Sequence, residues 1–455
     1  MPQSSTAPLM LSISGLRGIV GESLTPIVAA KYGAALGSYF IQTRGEKPCI
    51  VVGRDSRPSG EMIENAVVSG LAACGCRVIR LGILSTPGVA AMVRHLDADG
   101  GVILTASHNP TPWNGIKCLR FDAVAPPKAE AETIVARFKE ENFWFNDATG
   151  IPASATNPSG AEAHITKVLT FVDVEAIRAA KLRVVVDGAH GAGGPEAQLL
   201  LKKLGVALVP MWLEPTGRFP HTPEPTRENL TDLCARVAKE NAACGFALDP
   251  DADRLAIVDE TGAYIGEEYT LALCVLHKLA PGGAVVANLS TSRMVDDIAA
   301  QKGGKALRSA VGEANVAEVM RESGSVIGGE GNGGLIYPAI SQVRDSFLAM
   351  AFVLEMLAKR KVALSSIVKE IPAYAIVKDK APVDPAVIAK LAAVLPGAFP
   401  GARVDARDGV RLDVGNTWVH VRASNTEPIV RLIAEAPTEA QAKALIAEAK
   451  KALGM

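Results

Sequence analysis

The sequence is poor in the features that give quick identifications. Its net charge is -1, so electrostatics gives no reason to expect DNA, RNA or an acidic membrane as partner. An anion-handling site would have to be local, built from a few arginines and backbone amides. No run approaches the ~18 apolar residues of a membrane span. The opening residues, MPQSSTAPLMLSISG, have no basic region and only a brief apolar stretch, so no signal peptide is expected. The seven cysteines (Cys49, Cys74, Cys76, Cys118, Cys234, Cys244, Cys274) are odd in number and follow no zinc-site spacing. They read as buried, reduced thiols of a cytoplasmic protein. Val184–Gly194, VVVDGAHGAGG, lacks the dinucleotide-binding G-x-G-x-x-G spacing. It reads as a tight strand-to-helix turn in which His190 is structural. There is no G-x-S-x-G elbow, which leaves a hydrolase triad without support.

What is present is length, apolar content and repetition. With 455 residues, 48% of them hydrophobic, the chain is too long for one core and predicts about three domains, give or take one. A strand–helix–strand unit recurs. It is read first at Cys49–Gly53, Glu61–Ala73 and Arg77–Leu81, then at Leu182–Asp187, Pro195–Leu204 and Val206–Pro210, and again at Ala284–Leu289, Ser292–Gln301 and Lys305–Ser309. Such units build largely parallel sheets. Each is followed by one more apolar run (Gly101–Thr105, Gly245–Leu248, Ser325–Gly328) that leads into an unusual loop. Ligands of open α/β sheets sit beyond the carboxyl ends of strands, where these loops would lie. The last ~80 residues differ: runs Thr417–Val421 and Ile429–Ala434 flank a polar loop, and a helix over Glu439–Ala452 closes a smaller α+β domain.

The loops carry chemistry of distinct kinds. Ser107, in Ser-His-Asn-Pro straight after a strand, has the exposed and rigidly supported position a nucleophile needs, although an ordinary polar turn has the same look. Asp249, Asp251 and Asp253 alternate, so in an extended segment they point to one side. Crowded carboxylates call for a cation, and hard oxygen ligands favour Mg²⁺ or Ca²⁺. An EF-hand is a competing reading, with Glu260 at its twelfth position, but Arg254 stands where that loop needs glycine and the flanks are strand-like. A solvated acidic turn and an aspartyl-phosphate phosphatase are further readings. Arg422-Ala-Ser-Asn-Thr-Glu-Pro428, with Arg431 beyond it, offers a guanidinium, two hydroxyls and an amide to one anion. It also suits a plain hairpin loop. Gly329-Glu-Gly-Asn-Gly-Gly334 lets backbone approach a ligand, with Glu330 and Asn332 suited to sugar hydroxyls, or is simply a flexible turn. Arg17, between glycines, and Lys117, ten residues past Ser107, say little alone.

Together, Thr105–Pro110, Asp249–Arg254, Gly329–Gly334 and Arg422–Pro428 resemble the α-D-phosphohexomutase family in order and spacing over the whole chain. The resemblance implies three similar mixed α/β sheet domains plus a smaller C-terminal α+β domain around a central cleft, divided at 1–155, 156–257, 258–370 and 371–455. It implies that Ser107 is the phosphoserine and that Asp249, Asp251 and Asp253 hold Mg²⁺ together with a phosphoserine oxygen. Arg254 is then expected beside the transferring phosphoryl, with Arg17, His108 and Lys117 near it and Lys117 a candidate general acid/base. Glu330 and Asn332 are expected on sugar hydroxyls, and Arg422, Ser424, Asn425, Thr426 and Arg431 around the phosphate that does not react.

The implied reaction interconverts hexose 6-phosphate and hexose 1-phosphate, with hexose 1,6-bisphosphate as primer and intermediate. The implied partner is a phosphosugar, with no nucleic acid or membrane, and the enzyme is expected as a monomer or homodimer. Many family members carry Ser and His in the sugar loop where Asn332 and Gly334 stand here. This version resembles a branch of phosphoglucosamine mutases, which puts glucosamine phosphate ahead of mannose or glucose phosphate. The competing classes are a metal-dependent sugar phosphatase and a non-catalytic sugar-phosphate-binding protein.

Overall fold

Three times along the chain a buried strand, a helix and a second strand follow one another, and each time the two strands pair in parallel. The computed structural model describes residues 8–12, 15–382, 388, 390–423 and 429–455. In it, Cys49–Arg54 pairs with Arg77–Ile83 across the helix Gly60–Ala73. Arg183–Asp187 pairs with Ala207–Met211 across Gly193–Leu204, and Ala284–Asn288 pairs with Lys305–Ser309 across Met294–Gln301. Helices or neighbouring segments cover both faces of these strands, which is why they read as unbroken apolar runs: Val184, Val185 and Val186 are all fully buried.

A third parallel strand lies on the other side of each first strand: Gly100–Leu104, Cys244–Leu248 and Ile327–Glu330. The chain then reverses. Trp113–Arg120, Leu255–Asp259 and Gly334–Ile336 run back antiparallel to those strands. The sheets are therefore mixed, and each unusual loop is the tip of a hairpin at a strand's carboxyl end. Glu330 closes one strand and Gly334 opens the next, so the loop between them is shorter than its sequence suggests.

The first sheet grows to seven strands by adding the hairpin Met10–Ser12/Gly15–Ile19 at one edge and Ala155–Thr156 at the other. The helix Pro26–Arg44, capped by Thr25 Oγ1 accepting from the Val28 N–H at 3.3 Å, packs on Gly60–Ala73. The approach is so close that a Cβ at Gly70 would lie 2.3 Å from the Ala30 carbonyl oxygen. The second and third sheets share one hydrophobic core, filled by the helix Ser346–Arg360, which is buried from Ser346 to Ala358. The C-terminal sheet is antiparallel throughout, in the order Ala375–Pro382, Ile429–Ala436, Thr417–Ala423, Val410–Val414, Arg403–Asp405. With the helices Leu391–Ala398 and Glu439–Ala452 it encloses its own core. The strand Thr417–Ala423 runs past the expected Val421, which moves Arg422 from a loop onto a strand. All seven cysteines are unbonded; six are buried, and Cys234 is only half-buried, against expectation. Among the described residues no helix is long and apolar enough to cross a membrane.

Candidate active site

Ser107 follows the strand Gly100–Leu104 in left-handed backbone (φ 49°), a conformation that costs a residue with a Cβ about 1 kcal/mol or more. The loop is held from behind. The Arg57 guanidinium, fully buried, donates to the carbonyls of Ser107 and Asn109 (both 2.6 Å), Pro110 (2.7 Å) and Trp113 (3.0 Å). Its Nε is fixed on Asp55 at 3.0 Å. The Ser107 N–H donates to Thr105 Oγ1 at 2.8 Å. Ser107 Oγ is thereby presented to the second domain, where it donates to Asp249 Oδ2 at 2.9 Å.

The metal-loop aspartates are all buried, and one carboxylate oxygen from each falls within 4.8 Å of the others. Asp249 has both oxygens secured, Asp251 and Asp253 one each. Asp249 Oδ1 accepts the N–H groups of Asp253 and Arg254, both at 3.1 Å. Asp251 Oδ2 accepts from Thr86 Oγ1 and Lys117 Nζ, both at 2.8 Å. Asp253 Oδ2 accepts from Arg344 Nη2 at 2.5 Å. The remaining oxygens of Asp251 and Asp253 are buried without a hydrogen-bond partner, a state that costs about 1–3 kcal/mol per group unless something fills it. Hard, converging carboxylate oxygens left bare in this way fit Mg²⁺. Glu260, the competing EF-hand position, lies elsewhere and accepts from the Ser365 N–H at 3.0 Å.

Positive charge surrounds the triad. Burial would lower the Lys117 ammonium, but Asp251 and Asp253 beside it hold its pKa above the ordinary value. Burial and the repulsion of Asp251 and Asp253 push Asp249 well up. Asp251 is held low, because Lys117 and Thr86 outweigh its burial. His108 Nδ1 stands 3.3 Å from Ser107 Oγ. Burial, reinforced by Arg254 and Arg17, drops its imidazole to about 2, so the ring is neutral. Arg17 reaches Asn109 Oδ1 at 3.3 Å, and Arg254 Nε lies 3.8 Å from Asp253.

The sugar loop joins the same cluster. Glu330 Oε1 accepts from Asn288 Nδ2 (2.8 Å) and the Gly312 N–H (3.1 Å), while Oε2 meets Arg344 Nη1 at 2.9 Å. Burial pushes the Glu330 carboxyl up, but Arg344 and Asn288 hold it below its usual range. Asn332 Oδ1 is buried without a partner. Arg422 and Arg431 stand directly opposite each other on neighbouring strands, so their side chains share one face. Ser424, Asn425 and Thr426 lie outside the described residues.

Sequence reasoning missed Arg57, Thr86 and Arg344. Each acts across a large gap in the chain and stands in no periodic pattern. Arg57 and Arg344 each follow or precede an aspartate (Asp55, Asp345), the only local hint of a buried charge. A groove of about 890 Å³ lies away from all of these residues, against Ala176, Ala180, Lys181, Ala242, Ala358 and Lys361.

A serine at a strand end facing a buried aspartate triad with two unpaired carboxylate oxygens, carried on three like domains and a fourth, fits a phosphoryl-transferring mutase of sugar phosphates. Models of the phosphoglucomutase/phosphomannomutase family match in chain order: α/β/α domain I over residues 10–144, domain II over 162–262, domain III over 266–374 and the C-terminal domain over 373–452. The chain belongs to this family. A relative named phosphoglucomutase/phosphomannomutase from Thermococcus kodakarensis is 38% identical over 94% of this chain and 95% of its own. One named "probable phosphoglucosamine mutase" from Methanopyrus kandleri is 34% identical over 95% of each. A solved family protein from Burkholderia thailandensis, 28% identical, superposes with a TM-score of 0.84 over 98% of both chains.

Proposed function

We propose that the protein interconverts hexose 6-phosphate and hexose 1-phosphate through phosphorylated Ser107 and a hexose 1,6-bisphosphate, with glucosamine phosphate as the preferred sugar. The observation that carries this reading is the contact of Ser107 Oγ with Asp249 beside the two bare carboxylate oxygens. Asp249, Asp251, Asp253 and an oxygen on Ser107 would hold Mg²⁺, which when bound neutralises phosphoryl oxygens.

The chain's own groups supply the rest. A sugar hydroxyl attacks the phosphorus, the bond from phosphorus to Ser107 Oγ breaks, and the hydroxyl proton passes to a base. Lys117, charged beside Asp251, is the candidate general acid/base and can deliver a proton to the departing oxygen, while His108 stands as a neutral ring beside Ser107 Oγ. Arg17 and Arg254 balance charge on the moving phosphoryl. The bisphosphate then turns over and returns its other phosphoryl to Ser107. Glu330 and Asn332 hold sugar hydroxyls, and Arg422 and Arg431, with Ser424, Asn425 and Thr426, clamp the idle phosphate.

The Gly-Asn-Gly-Gly sugar loop and the name of the Methanopyrus relative support glucosamine; the name of the Thermococcus relative supports mannose or glucose. Phosphorus NMR with Mg²⁺ separates them, using glucosamine, mannose and glucose 6-phosphates in turn, each primed with its bisphosphate. Growth of a 1-phosphate signal without free phosphate is expected, fastest with glucosamine. Free phosphate alone would sink the mutase in favour of a phosphatase.

A further inference from the structure

The bend at Asp408-Gly409 passes directly under Arg422. Gly409 faces Arg422 across the sheet in left-handed backbone (φ 64°), and a Cβ there would lie 2.3 Å from the Val421 oxygen and 2.7 Å from the Arg422 Cα. The close passage delivers the Asp408 carboxylate to the Arg422 Nε at 3.2 Å. The same carboxylate accepts the N–H of Val311, in the third domain, at 3.0 Å. The next amide, Gly312 N–H, donates to Glu330 in the sugar loop at 3.1 Å. Two successive amides of one loop are thus taken by carboxylates from two domains. The Asp408 carbonyl is fixed as well, accepting from His420 Nε2 at 2.7 Å, while His420 Nδ1 lies 2.9 Å from Ser290 Oγ in the third domain. A carbonyl can only accept, so Nε2 carries the proton and Nδ1 receives the serine hydroxyl. Burial keeps this ring neutral.

We infer that Asp408 is a positioning residue that aims the Arg422 guanidinium and locks the phosphate-binding strand to the sugar-loop domain. By taking Nε it leaves the paired Nη edge of the fork for a phosphate, the geometry in which arginine binds phosphate best. The inference rests on the reading of Arg422 as a phosphate clamp. A carboxylate suits this place because neither of its oxygens is a donor and its charge faces the guanidinium. Both carboxylate oxygens lie 3.2 Å from Arg422 Nε, and one also takes the Val311 N–H, so an amide would set an N–H donor against one of these donors and remove the charge.

The test is a double-mutant cycle on the Mg²⁺-loaded full chain with glucosamine 6-phosphate and, separately, mannose and glucose 6-phosphates, under bisphosphate priming. D408N is expected to lower kcat/KM about tenfold or more, mainly through KM, with only a small drop in the unfolding temperature from the weakened Val311 contact. R422A is expected to lower it further, and D408N/R422A to be no worse than R422A alone, because Asp408 acts through that guanidinium. D408E is expected to recover part of the loss. Additive losses, or a D408N variant with unchanged KM beside an impaired R422A, would overturn the role of Asp408 and leave the clamp standing. An R422A variant with unchanged KM would sink the clamp reading and this inference together.

Discussion

Two buried charge clusters in this molecule are made of the same materials and behave differently. In one, His164 lies fully buried between Glu196 (3.0 Å) and Asp345 (2.9 Å). There every oxygen is used. Glu196 Oε2 accepts the Ser85 N–H at 2.9 Å, and Asp345 Oδ1 caps the helix Ser346–Arg360 by accepting two N–H groups at 3.0 Å. In the other, around Asp249, Asp251 and Asp253, one oxygen on each of two aspartates has no partner. The first cluster is closed and ties three domains together; the second is left open at the point where a cation and a phosphoryl group would enter. Burial and charge are alike in both, so unsatisfied valence is what separates a working site from a structural knot.

That contrast can be broken in descending steps. Ser107→Ala should reduce turnover at least about a thousandfold while sugar phosphate binding persists, read by steady-state kinetics and calorimetry. Unchanged turnover would remove Ser107 as the nucleophile. Asp253→Asn should weaken Mg²⁺ binding at least about tenfold by calorimetry, with little loss of fold stability. If the fold suffers instead, the open cluster is structural after all. His164→Gln should do the reverse, costing about 3–5 kcal/mol in denaturant unfolding because two buried acids lose their counter-charge, with Mg²⁺ affinity retained by the folded fraction. The smallest effect is in pH. Asp345 and Glu196 outweigh burial and raise the His164 imidazole to about 10, above its unfolded value near 6.5. Its contribution is therefore complete below about pH 6.5 and is lost as pH rises through about 10. Unfolding midpoints of the natural chain should fall over that interval more steeply than those of His164→Gln, and parallel curves would refute the charged ring.

The open cluster was largely legible in the sequence and the closed one was not. Alternating aspartates and a serine at a strand end are local patterns, and the three repeated units could be read from β-branched runs and glycine stops. The helix Glu439–Ala452 was legible for the same reason. His164 sits on an ordinary amphipathic helix, and its partners lie 32 and 181 residues away. Arg57 and Arg344 were equally silent, since what defines them is which carbonyls and carboxylates the fold brings to their guanidinium groups. The strand–helix–strand units alone read as largely parallel sheets; their mixed character was legible only through the family resemblance, because a returning antiparallel strand has the same apolar look as a parallel one.

The neighbouring residues Ser85 and Thr86 have a mechanical consequence. The N–H of Ser85 holds Glu196, and Thr86 grips Asp251 twice, through its hydroxyl at 2.8 Å and through its N–H on the Asp251 carbonyl at 2.9 Å. Prising the first domain from the second would strip buried carboxylates of their donors, so that seam is a weld. The C-terminal domain keeps a core of its own, yet it too is tied to the third domain, through Asp408 on the Val311 N–H at 3.0 Å and Glu435 on the Arg293 N–H at 2.9 Å. The first two domains thus act as an anvil, in which Ser107 and Asp249 are kept in register by contacts that would have to break together.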